Sequence, residues 1–243
     1  MTMIRSEHRD DVTLVTLDRP ERRNAVDHDA LVDLREAIAG AGGSRALVLT
    51  GSGGHFCAGA DLTGVEDTGF VALLSEVLRA LQTSSAPTIA AVSGAALGAG
   101  TQLASACDLR VATPDSSFGV PAGKLGLMVD LWTVERLAHL VGGGTARSIL
   151  LAAEVLDGAR AHQLGLVQRL GDLDDALAWA ASIATLAPLT LAGHKHGINL
   201  VEAGDPDAAE RYGDAFRAAW RSADLQEGLA AFRERRPPQF RGA

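Results

Sequence analysis

Two glycine-rich stretches, GSGGHFCAGADL at 51–62 and GAALGAG at 94–100, each follow a short apolar run. If the turn at ALGA opens a helix, the N–H of Ala99 lies at the positive end of the helix dipole. It has no partner within the helix and is free to donate to an anion. A second amide from AGAD, converging on the same oxygen, would complete an oxyanion hole. Such a pair holds an enolate or a tetrahedral intermediate of a thioester by about 3 to 4 kcal/mol per donor. For either loop alone there is a plainer reading: small residues let chain pass close to chain. Gln102 follows Ala99 by three residues. Glutamine holds water by hydrogen bonds but has no proton to exchange near neutral pH.

Other candidates carry less chemistry. Asp130 directly precedes LWTVERLAHL, where an acceptor suits the start of a helix; it is also a carboxylate able to move one proton or hold a polar group. His55 stands beside the first glycine loop and reads as a loop histidine before a catalytic one. The histidines of HKH at 194–196 diverge on a helix surface, so no metal site is expected. Ser93, Ser105 and Ser148 lack a serine-histidine-acid context. Cys57 and Cys107, the only cysteines, sit in apolar surroundings and read as buried thiols. Neither glycine loop is a phosphate fingerprint: the Gly-Lys-Ser/Thr of a P-loop is absent, and GAGTQL lacks the third glycine of a dinucleotide site.

The elements that must position these residues are legible from pattern. VTLVTL (12–17), ALVLTG (46–51), PTIAAVSG (87–94) and DLRVAT (108–113) read as strands. Leu31, Leu34 and Ile38 after Asp27 share one helical face, and Phe70, Leu73, Leu74, Val77, Leu78 and Leu81 share another. Alternation of strands and helices predicts a mainly parallel sheet covered by helices. Beyond about position 140 only GLVQRL (165–170) reads as extended. The rest reads as helices, with Asp174, Asp205 with Pro206, and Ser222 at their starts. A length of 243 residues suits one compact domain with a helical appendage, drawn as a core over 1–190 and a C-terminal helical region over 191–243. The formal charge of −8 excludes an extended nucleic-acid surface. A small anionic ligand needs only a local cluster, and RPERR (19–23) and RERRPPQFR (233–241) are either that or solvated charge. With no apolar run of about 18 residues, no transmembrane segment is expected, and a cytoplasmic location is.

In order over positions 10 to about 170, RPERRNA, FCAGADL, VSGAALGAGTQLASACDLRVATPDSSFGVP and GLMVDLWTVERL resemble motifs of the enoyl-CoA hydratase/isomerase family, the crotonase superfamily. ERRPPQFRG resembles that family's ending. The resemblance implies an α/β crotonase spiral of strand-strand-helix turns, with C-terminal helices that build a homotrimer or a dimer of trimers. It carries the oxyanion donors to the backbone N–H groups of Ala60 and Ala99, and puts the thioester among Ala58, Asp61, Leu62, Leu97 and Gly98. Coenzyme A would run past Arg22, Arg23 and Ala25, with Phe240 and Arg241 approaching the adenine end, from an adjacent subunit in one arrangement.

The departures from the family pattern concern the reaction. Hydratases share proton delivery and water activation between two glutamates, which align here with Gln102 and Ala122. Each such role is worth about 100- to 10,000-fold in rate, so ordinary hydration is not expected. Asp130 aligns with an acid used by dienoyl-CoA isomerases, whose partner glutamate would stand at Ala122. Leu97, Leu127, Met128, Leu131 and Trp132 would line an apolar channel, where each buried methylene contributes about 0.8 kcal/mol. The expectation is a long-chain acyl-CoA-binding protein, with no metal or covalent cofactor. Similarity to a family branch that lacks both glutamates and is linked to mycolic-acid synthesis implies a carrier serving fatty-acid synthesis enzymes. The alternative is an active enoyl- or dienoyl-CoA isomerase, or a hydratase-like enzyme, using Asp130 and the oxyanion hole.

Overall fold

The computed structural model describes residues 3–61 and 68–243. Strand β1 (Ile4–Arg9) pairs antiparallel with β2 (Val12–Leu17), and helix α1 (His28–Gly40) leads to β3 (Ala46–Gly51). Helix α2 (Thr68–Thr83) precedes β4 (Thr88–Val92), β5 (Ala95–Leu97), α3 (Ala99–Ala106), β6 (Leu109–Ala112) and β7 (Ser117–Gly119). Then come α4 (Leu131–Leu151), β8 (Val155–Asp157), α5 (Gly158–Gln163) and β9 (Arg169–Leu170). The chain continues in α6 (Leu173–Ala184), α7 (Pro188–Glu202), α8 (Ala208–Arg221) and α9 (Ala223–Glu234). The larger sheet has the order β1-β2-β3-β4-β6-β9, parallel from β2 onward; the smaller is β5-β7-β8.

The architecture is a spiral. β4 steps into β5 and then α3, and β6 steps into β7 and then α4. β3 does the same through residues 57–60, which bridge Val26 on one side and Ala96 on the other before α2. The larger sheet is buried on both faces, which explains its nearly unbroken apolar runs. Val15, Leu17, Leu47, Leu49, Ala90 and Val92 face α1 to α4. Val12, Leu14, Val48, Ile89, Ala91 and Val111 pack with Ala176, Ala180 and Ile183 of α6. The expected α/β spiral of strand-strand-helix turns with a C-terminal helical region is the fold observed. The 190/191 boundary falls in the first turn of α7, whose buried Lys195 donates to Leu81 O, Ala86 O and Asp108, so that helix is fastened to the core.

Several local expectations need correction. α6 is capped by Asp172, not Asp174: Asp172 accepts from the amides of Asp174 and Asp175, and Asp175 bonds back to the Asp172 amide. α8 begins at Ala208, two residues after Pro206, because Asp205 turns the chain by accepting from the Asp207 amide. Of GLVQRL only Arg169–Leu170 pairs as strand. Ser222 does cap α9, accepting from the Leu225 amide.

Candidate functional site

Strand pairing aims the two amides. Ala58 N donates to Arg23 O (3.0 Å), Val26 N to Gly59 O (2.9 Å) and Asp61 N to Val26 O (2.7 Å). On the opposite side Cys57 N donates to Ala95 O (2.9 Å) and Leu97 N to Cys57 O (3.0 Å). Since Gly59 O and Asp61 N both face Val26, Ala60 between them turns its own N–H the other way, toward the end of β5. There Gly98, at φ 53°, reverses the chain and starts α3. The first intrahelical bond runs from Gln102 N to Gly98 O (3.1 Å), which leaves the Ala99 N–H outside the helix ladder. Neither the Ala60 nor the Ala99 amide has a partner among the described residues.

Close packing fixes this crossing. Gly59 adopts φ 123°, and a Cβ there would stand 3.2 Å from Leu97 O; a Cβ at Gly100 would stand 2.0 Å from Cys57 O. Asn24, buried in a left-handed conformation, donates to Ser52 O and His55 O and accepts from the Arg19 amide, bracing the first loop. His55 Nδ1 accepts from the Ala95 amide at 3.1 Å, so a neutral ring carries its proton on Nε2 and acts as a strut. The Cys57 thiol lies beneath the same loop, with Sγ donating to Gly59 O. Burial pushes it up to about 12, so it is no thiolate at neutral pH. The buried Cys107 thiol is likewise raised to about 12.

The amides open on a cavity of about 300 Å³ that also meets Ala58, Leu97, Gly98 and Gln102. Ala122, Leu127 and Asp130 line its far side, with Met128 at an exposed rim. Phe70, Leu74 and Leu78 of α2 form an apolar wall opposite. No carboxyl occupies position 102 or 122; Asp130 is the acid that reaches this cavity among the described residues.

Asp130 caps α4: its Oδ1 accepts from the Thr133 amide (3.1 Å) and the Thr133 hydroxyl (2.5 Å). A carboxylate oxygen can only accept, so the Thr133 proton points at Asp130. Thr133 Oγ1 then receives its second bond from Gln102 Nε2 at 2.7 Å. This chain sets which end of the Gln102 amide faces Thr133.

The remaining expected residues that are described lie outside the cavity. Arg22, Arg23 and Ala25 run along the edge of residues 58–61. The Arg22 guanidinium is 59% exposed and reaches Asp61 at 4.0 Å, and Arg19 approaches Asp61 at 3.6 Å. Leu62 is outside the described residues. Trp132, expected in the apolar channel, turns away: Nε1 donates to Gln82 at 3.0 Å, and the ring packs on the core. Leu131, the residue after the helix cap, is exposed and also misses the cavity. Phe240 lies in a separate cavity with α7, α8 and α9, while its carbonyl accepts from Arg45.

Sequence reasoning missed Asn24 and Thr133. For Thr133 the signal was available, since a residue three positions after a capping Asp occupies the helix's first turn. For Asn24 the hint was its tolerance of left-handed backbone. Among the described residues no cluster of histidine, cysteine, aspartate or glutamate could hold a metal, and no single helix is long and apolar enough to cross a membrane.

Comparison with known proteins gives the family and the fold. A sequence profile described as enoyl-CoA hydratase/isomerase matches residues 7–243. The chain is 45% identical over 235 residues to the "Probable enoyl-CoA hydratase echA6" of Mycobacterium tuberculosis, covering 96% of each. It is 32% identical over 249 residues to the crotonyl-CoA hydratase of Syntrophomonas wolfei, again covering 96% of each. A crystal structure of an enoyl-CoA hydratase/isomerase family protein from Hyphomonas neptunium superposes with TM-score 0.93 at 31% identity over 100% of both chains. That of the enoyl-CoA hydratase from M. tuberculosis H37Rv gives 0.89 at 33%, with the same coverage.

Proposed function

Since the chain belongs to the enoyl-CoA hydratase/isomerase family, we propose that it binds a fatty acyl-CoA without hydrating it and passes the ligand on unchanged. The observation that carries this reading is that Gln102 and Ala122, neither of them a carboxyl, line the same cavity as Ala60 and Ala99. The relatives' names point to hydration, but hydration needs a proton for the alpha carbon and a base for water. A glutamine whose Nε2 is committed to Thr133 and a methyl group supply neither.

Each part of the ligand has a place in this reading. The thioester oxygen takes the N–H groups of Ala60 and Ala99. The acyl chain runs along Phe70, Leu74, Leu78 and Leu127, and the phosphates pass the exposed Arg22 and Arg23. Binding needs neither a metal nor a covalent cofactor. We infer that copies of the chain associate as a trimer or dimer of trimers through α7 to α9, whose Phe232, Val201 and Trp220 are 84%, 77% and 63% exposed. Fatty-acid synthesis enzymes are the proposed recipients, in the cytoplasm.

A second reading rests on one observation: Asp130 lines the cavity, and only its Oδ1 is engaged by Thr133. Its other oxygen could move a proton at an enolate carbon, as an isomerase requires. Proton NMR in heavy water with saturated, 2-enoyl and 3-enoyl CoA thioesters separates the two. The binding reading expects broadened resonances and unchanged ligands; hydration, double-bond migration or alpha-proton exchange overturns it.

A further inference from the structure

No residue of α7 lines the acyl cavity, yet one face of that helix carries three polar side chains that reach the elements around it. Lys195, Asn199 and Glu202 are spaced four and three apart, so they share one side of α7. Lys195 Nζ donates to Leu81 O (3.0 Å), Ala86 O (3.2 Å) and Asp108 Oδ2 (2.7 Å), and Asn199 Nδ2 donates to Gln82 O (2.9 Å). Leu81 and Gln82 stand in the last turn of α2, where helix carbonyls have no partner of their own and the dipole favours a cation. α7 therefore supplies side-chain partners for the end of α2. Glu202 accepts from Arg136 of α4 at 2.5 Å, and Arg136 Nε donates to Ser105 O of α3 at 2.8 Å. Trp132 closes the circuit from α4 to the Gln82 side chain.

The walls of the cavity belong to these same elements. Phe70, Leu74 and Leu78 of α2 stand opposite Ala122, Leu127 and Asp130, the last being the cap of α4. Phe70 precedes Gln82 by about 18 Å of helix, so a small tilt at the held end is magnified at the wall. We propose that α7 sets the width of the acyl cavity without touching the ligand: Asn199 and Glu202 are positioning residues that hold α2 and α4 at a fixed separation. The proposal rests on the acyl-CoA reading of the cavity. A straight polymethylene chain fits between walls so held. A wider group must push them apart against the α7 contacts, as any bulk forced into a packed interior must. The site thereby selects unbranched acyl thioesters over wide ones.

The test is calorimetric titration of the full chain with decanoyl-CoA and 6-phenylhexanoyl-CoA, two thioesters of similar extended length and different girth. The native chain is expected to bind the straight thioester at least about fivefold tighter. In Asn199→Leu, which removes the donor to Gln82 O, the ratio is expected to fall to within about twofold, chiefly because the wide ligand gains. Asn199→Asp, of the same shape and without the donor, is the second variant should leucine prevent folding. Glu202→Leu is expected to lose the ratio too, and Glu202→Gln, which keeps an acceptor for Arg136, to restore it. A merely structural role lowers the melting temperature and both affinities together and leaves their ratio unchanged. That result overturns the proposal, as does a native chain that does not prefer the straight thioester. Failure of both thioesters to bind overturns the acyl-CoA reading, and this inference with it.

Discussion

Asp130 Oδ1 accepts both the amide and the hydroxyl of Thr133, so substitution there probes a helix cap and a candidate proton shuttle together. Asparagine separates the two roles. It caps helices about as well as aspartate, so Asp130→Asn is expected to change unfolding free energy by less than about 0.5 kcal/mol, whereas Asp130→Ala removes the cap and costs about 1 kcal/mol. If the chain only binds, Asp130→Asn also leaves acyl-CoA affinity within about twofold, well under one hydrogen bond's worth. Loss of a measurable turnover in Asp130→Asn at undiminished stability would instead establish the isomerase reading. Denaturant unfolding with parallel calorimetry provides both readouts. The acid itself was legible in the sequence as a helix-start residue. Its link through Thr133 to Gln102 was not, because that link joins positions 31 residues apart on two helices.

At the scale of elements, the amide pair depends on how closely α3 approaches residues 57–60. A Cβ on Gly100 would meet Cys57 O at 2.0 Å and Cys57 C at 2.9 Å, both backbone atoms that yield only if the loop moves. Gly100→Ala is therefore expected to destabilise the fold by about 1 to 3 kcal/mol and to weaken acyl-CoA binding by parting Ala60 from Ala99. In α4, Gly144 has nothing within 4 Å of a Cβ; Gly144→Ala is expected to be neutral or stabilising by up to about 1 kcal/mol. Thermal melts and ligand titration of the pair check this. Long elements were read from local pattern: the face formed by Leu31, Leu34 and Ile38 is the buried face of α1. β5, β7 and β8 have three residues each, too few to display a period, and three aspartates crowd positions 172–175, so spacing alone could not choose the cap.

Across the whole molecule, the C-terminal residues fold back on α9. Asp224 accepts from the amides of Arg241 and Gly242, and Glu227 accepts from the Gln239 amide and from Arg236. The Arg236 bonds, then the Gln239 amide, hold the Glu227 carboxyl down at about 2 against an ordinary value of 4.5. A depressed carboxyl contributes stability that is complete above its unfolded value and disappears as pH falls to the folded one. The difference in melting temperature between the native chain and Glu227→Gln is thus expected to persist at neutral pH and to close between about pH 4.5 and 2. A difference that stays constant across that window contradicts the assignment. The sequence by itself determined the parallel sheet, the helices that cover it, the two loops of small residues, and the lack of a carboxyl at positions 102 and 122. These follow from side-chain type and period, which act over a few neighbouring residues. Only the tertiary structure decided that the loops meet, that Thr133 orients Gln102, and that Trp132 faces Gln82 instead of the cavity. Those outcomes depend on strand register and helix contacts between residues 30 to 50 positions apart, and no local pattern encodes which way a long side chain turns once such contacts form.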